Sequence, residues 1–153
     1  MNPSLLFPLA MVVIAGAAVA TQPAFNGQLA YLLGSPFRAA LINFTAGALV
    51  MLSIVTVFSL RNGLPSREQV LSVPPHLWIA GGALGALFVT TATWATPKIG
   101  AGAFFSTLIA AQLIAALIMD HFGLIGLDVR PANLVRIIGV VLLVAGAVLV
   151  VRG

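Results

Sequence analysis

Apolar residues in this chain neither alternate nor keep to one helical stripe; they fill long blocks that are apolar all round, separated by short polar punctuation. Such blocks are not the half-buried faces of a soluble core, where polar residues return at every turn. A helix needs about 20 largely apolar residues to cross the hydrocarbon of a bilayer, and five blocks reach that length. They run from about Leu5 to Leu33, Pro36 to Leu60, Leu77 to Thr96, Ala101 to Met119 and Leu134 to Val151. The pattern predicts an all-α membrane protein with five transmembrane helices. Residues 1–153 form a single domain in this reading, because no link between blocks is long enough to fold separately.

The punctuation refines the spans. Pro23 lies inside the first block, where a missing backbone donor predicts a kink near the middle. Arg61 to Glu68 is the clearest extramembrane link, and Pro74-Pro75 opens the third span. Trp78 and Trp94 stand about 24 Å apart at the helical rise, a spacing that suits indoles at the two interfaces. Pro97-Lys98 closes that span, and Asp120-His121-Phe122-Gly123 closes the fourth.

Composition agrees with lipid as the main solvent. Of 153 residues 61% are hydrophobic and 7% charged, with a mean hydropathy of +1.15, whereas soluble domains run near a quarter charged. The pI of 11.3 reflects 7 Lys and Arg against 3 Asp and Glu, scattered singly, so no basic patch for nucleic acid exists. The absence of Cys excludes disulfides and thiolate chemistry. Ala18-Val19-Ala20 resembles a secretory cleavage site, but no Lys or Arg precedes it, so the first block is read as a span.

Lys and Arg in alternate links set orientation. Arg61, Arg67, Arg130 and Arg136 fall on the side of the N-terminus, and Arg38, Lys98 and Arg152 on the other, which is four against three. Near balance permits insertion in both directions; a weak preference for the N-terminus inside is the alternative.

Gly81 and Gly85 form a Gly-x-x-x-Gly pair on the third span, and Gly139 and Gly146 share one face of the fifth. Both are candidate helix-packing faces. The polar residues inside the spans are Gln22 and Asn26 on the first, Asn43 and Thr45 on the second, Thr90, Thr91, Thr93 and Thr96 on the third, and Ser106, Thr107 and Gln112 on the fourth. Because successive spans run in opposite directions, all of these fall in one half of the membrane. Amides facing lipid are costly, so they turn inward. They serve either as glue between helices or as the lining of a water-accessible vestibule, with Gln22, Asn26, Asn43, Thr90, Thr93, Ser106 and Gln112 as the candidate substrate pathway. Ser53 and Thr56 lie outside the cluster and are expected to bond their own helix backbone.

Ionisable chemistry is sparse. Asp120 and His121 sit at a helix end, where anchoring is the default role, and no carboxylate lies at mid-depth. No catalytic constellation, metal-ligand cluster or phosphate loop is present, so the sequence predicts neither an enzyme nor a cofactor.

The run from Gln22 to Asn26 with Leu29 and Gly34, then Phe44 with Gly47, Trp78 with Gly81 to Gly85, Pro97 with Gly100, Gln112, Asp120 with Phe122-Gly123, and Arg136 with Gly139, resembles the YdcZ-type branch of the drug/metabolite transporter superfamily over essentially the whole chain. The resemblance implies a five-helix half of an inverted-repeat transporter in a bacterial or archaeal inner membrane, pairing antiparallel with a second copy or a sister five-helix chain and exporting a small molecule. Related four-helix multidrug exporters couple to protons through a Glu in the first helix. Here Gln22 and Asn26 stand in that helix and neither titrates, which leaves Asp120 and His121 as the candidate coupling residues. Two functions stay open: a secondary transporter of a small metabolite or drug-like molecule, and a membrane scaffold whose polar residues only hold helices together.

Overall fold

The computed structural model describes residues 5–153. Five helices are long and apolar enough to cross a membrane: α1 (Leu6–Leu33), α2 (Pro36–Asn62), α4 (Leu77–Ile99), α5 (Ala101–Phe122) and α6 (Leu134–Arg152). A short α3 (Arg67–Leu71) lies in the link between α2 and α4. Among the described residues there is no strand. In hydrocarbon every backbone group must be satisfied within its own segment, which makes helix the only form these isolated apolar blocks can take.

The helix ends lie within three residues of the expected span ends, with one difference of substance. Pro97 does not close the third span; α4 runs on through it to Ile99. Pro23 lies inside α1, which runs unbroken for 28 residues. A proline removes one donor, and within a membrane the rest of the ladder is worth keeping because unpaired groups find no water. The link after α2 also gains structure: Ser66 accepts from the backbone N–H of Gln69 at 3.2 Å, and the Gln69 side chain accepts from the Ser66 N–H at 2.8 Å. That reciprocal capping box starts α3.

The chain packs as two compact units, one running to Pro97 and the other spanning Lys98–Gly153. The first is founded on the α1–α2 hairpin. Its turn is two residues long: Gly34 takes the left-handed conformation at φ 64°, and Ser35 caps α2, accepting from the Arg38 N–H at 3.4 Å, with Pro36 at the first helical position. Arg38 then reaches back to donate to the Leu33 carbonyl at 3.2 Å. So tight a turn forces the two helices antiparallel and side by side. Helix α4 meets this hairpin where Gly85 leaves room for the ring of Phe44, which lies 3.6 Å from where a Cβ would stand.

The second unit is the α5–α6 hairpin. Gly123 ends α5 at φ 62°, a single 3₁₀ turn follows (Leu124–Gly126), and Asn133 caps α6, accepting from the Arg136 N–H at 2.9 Å. Within it Phe104 and Phe105 meet edge to face at 5.2 Å. Most large apolar side chains of both units point outward, as lipid-facing helices require.

Candidate functional site

Asn26 and Asn43 stand at equal distances from the Gly34–Ser35 turn, so the hairpin brings them to one depth, about 12 Å in from the turn at the helical rise. There the Asn43 side-chain amide donates to Asn26 Oδ1 at 2.6 Å. Asn26 is buried, at 3% exposure, and Asn43 half-buried. An interhelical amide bond of this kind ties α1 to α2.

One turn deeper on α1, Gln22 is exposed and faces a different environment. Together with Asn43 it lines a cavity of about 390 Å³, whose remaining wall includes Phe44, Gly47, Met51 and Val89. Volume and lining are those of a small-molecule site: a mostly apolar wall with a few amide groups able to fix orientation. Of the α4 residues in the predicted pathway, Thr93 is buried and spends its hydroxyl on the Val89 carbonyl at 2.7 Å, and Thr90 is half-buried. A second cavity of this unit, about 500 Å³, carries Gln28, Tyr31 and Thr96 together with Pro23 and Pro97. Gln28 and Tyr31 went unnoticed in the sequence, where they look like ordinary residues near a span end; their spacing of three on α1 was the available signal.

In the second unit Ser106 is half-buried and donates to the Ala103 carbonyl at 3.2 Å, and Gln112 is exposed at mid-helix. Ser53 and Thr56, as expected, bond back to Leu49 and Leu52 at 2.9 and 2.7 Å. The packing glycines divide. Gly85 seats Phe44, whereas no described atom lies within 4 Å of a Cβ placed at Gly81, Gly139 or Gly146. Gly139 lines an open groove of about 520 Å³ with Leu113, Leu117 and Arg136.

Asp120 forms an ion pair with Arg136, joining the end of α5 to the start of α6. Arg136 also donates to the Arg130 carbonyl at 2.9 Å, the Arg130 N–H reaches the Asp120 carbonyl at 2.7 Å, and His121 Nδ1 accepts from the Ala132 N–H at 3.0 Å. The four contacts fold the α5–α6 link back on the helix ends. Asp120 and Arg136 thus hold the link through their charges, and His121 through its ring nitrogen.

The chain matches the family described as "Putative inner membrane exporter, YdcZ" over residues 7–149. It is 30% identical over 152 residues to the inner membrane protein YdcZ of Escherichia coli (strain K12), an alignment covering 99% of this chain and 98% of that one. No solved structure matches it. With five spanning helices and a family match of that length, the chain belongs to the YdcZ family and is a multi-pass inner membrane protein.

Proposed function

We propose that the chain is a half-transporter of the drug/metabolite type that exports a small neutral or zwitterionic molecule, two five-helix chains pairing antiparallel to complete the path. The observation that carries this reading is the cavity of about 390 Å³ at Gln22 and Asn43, walled by Phe44 and Met51. Its polar groups are amides, which offer donors and acceptors without charge, so it suits a solute that makes hydrogen bonds and brings an apolar body. A simple lipophilic cation would find no counter-ion there.

Coupling through Asp120 is disfavoured on this reading, because Arg136 already holds its carboxylate in the α5–α6 link. Antiparallel pairing draws on the four-against-three distribution of cationic residues between the two sides. It also supplies neighbours for Gly139 and Gly146, where an added Cβ would have open space within 4 Å apart from its own helix backbone. In an inverted pair the two copies of the cavity open toward opposite sides about a common centre.

The scaffold reading has one observation in its favour: Asn26 and Asn43 are bonded to each other, as glue would be. Gln22 separates the two. A ligand screen by thermal shift on the purified protein, repeated with Gln22→Ala, tests the transporter: a compound that stabilises the parent and loses its effect in the variant supports a binding cavity. If no compound in a metabolite library shifts the parent, the scaffold reading gains.

A further inference from the structure

The two prolines inside the spans of the first unit, Pro23 and Pro97, line the same cavity, the one of about 500 Å³ that also carries Gln28, Tyr31 and Thr96. Each proline breaks one rung of its helix ladder: the Val19 carbonyl in α1 and the Thr93 carbonyl in α4 lose the donor four residues on. Beside them α1 and α4 come close. A Cβ added at Gly27 would stand 3.4 Å from Pro97 Cγ, so bare backbone of one helix rests on the ring of the other.

Next to that contact, on the same cavity, a polar group is stranded. Thr96 Oγ1 is buried with no hydrogen-bond partner, alone in this among the side-chain atoms of the described residues. Hydroxyls in apolar helices ordinarily bond the carbonyl one turn back, as Thr45, Ser53, Thr56 and Thr93 all do at 2.7–2.9 Å. An unmet buried hydroxyl disfavours the state that buries it. Apolar contact at Gly27 and Pro97 favours the closed seam, and the stranded hydroxyl favours its opening to water. Opposed terms of this kind, set where both helix ladders miss a donor, are what a two-position element requires.

We propose that the Gly27–Pro97 seam is a gate over the α1–α4 cavity, and that its parting uncovers the Thr96 hydroxyl. The gate serves the transporter reading above, but its motion is measurable without any substrate. The chain contains no Cys, so Thr96→Cys, Gln28→Cys and Ala39→Cys give three single-thiol proteins for labelling in membranes by a charged, water-soluble methanethiosulfonate. Gln28 is exposed on the same cavity and Ala39 is fully buried at 0%. Thr96→Cys should react at least about tenfold more slowly than Gln28→Cys, yet measurably faster than Ala39→Cys. Propping the seam with Gly27→Leu should raise the Thr96→Cys rate about tenfold or more while Ala39→Cys in that background stays inert. Should Ala39→Cys also become reactive, Gly27→Leu has disrupted the fold, and Pro97→Ala, which removes the ring from the seam and restores a helix donor, replaces it with the same expectation. A Thr96→Cys rate unmoved by these substitutions, or one already equal to Gln28→Cys in the parent, overturns the gate. A seam that opens in a protein binding no solute would keep the gate and remove the transporter.

Discussion

The Asn43 amide donates to Asn26 Oδ1 at 2.6 Å across the α1–α2 hairpin, joining two residues seventeen positions apart. Replacing one partner strands the other in an apolar surround, whereas replacing both removes the need. Asn26→Leu should therefore destabilise the protein by about 1 kcal/mol, and Asn26→Leu with Asn43→Leu should recover much of that loss. Reversible unfolding in mixed micelles measures both. Strict additivity of the two single effects would mean that the bond contributes nothing of its own.

Gln22 faces the smaller cavity and is exposed, so its truncation removes an amide from the site without opening the core. Gln22→Ala should change stability by less than about 0.5 kcal/mol. It should also weaken a ligand found by thermal shift by about tenfold, the equivalent of one hydrogen bond. Isothermal titration with the parent and the variant decides it, and equal affinities would place the ligand elsewhere.

Asp120→Asn leaves shape intact and removes the charge that faces Arg136. The pair is about a third exposed at 28% and 35%, so the expected stability loss is modest, about 1 kcal/mol. Flux driven by a solute gradient in liposomes should persist. Loss of a pH-driven flux with binding retained would instead make Asp120 the coupling residue.

Gly123 and Gly34 both take a left-handed conformation, at φ 62° and 64°, but only Gly123 is crowded. A Cβ there would lie 2.7 Å from Val129 Cγ2 and 3.1 Å from the Leu127 carbonyl oxygen, while at Gly34 no atom lies within 4 Å. Gly34→Ala should cost about 1 kcal/mol for its conformation alone, and Gly123→Ala clearly more. Thermal unfolding of the two variants in detergent should rank them in that order.

Charge balance across the links predicts both orientations in the membrane. Reporter fusions after Gly153 should be active on both sides, and two Lys inserted after Gly63 should drive the N-terminus inside. A single orientation in the parent would eliminate the antiparallel homodimer and leave pairing with a sister chain.

The five spans and their order were legible in the sequence alone. About 20 apolar residues admit one structure in hydrocarbon, and short links such as Gly34-Ser35-Pro36 admit one arrangement of neighbours. The Ser66–Gln69 capping box was legible too, in a stretch read only as a link. What depth does not specify is rotation about the helix axis, which each helix settles by packing. Gln22 and Asn26 lie four apart on one face, yet Asn26 is sealed against Asn43 while Gln22 opens on a cavity, since a turn of height changes what stands opposite. In the same way Asp120 found Arg136, sixteen residues on, only once the α5–α6 link had folded back. Thr96 lacks the partner that Thr93, three residues earlier on the same helix, finds in its own backbone. Partition into lipid is a property of each segment and can be read from composition; which side chains meet depends on the fit of two helices, and only the tertiary structure contains both.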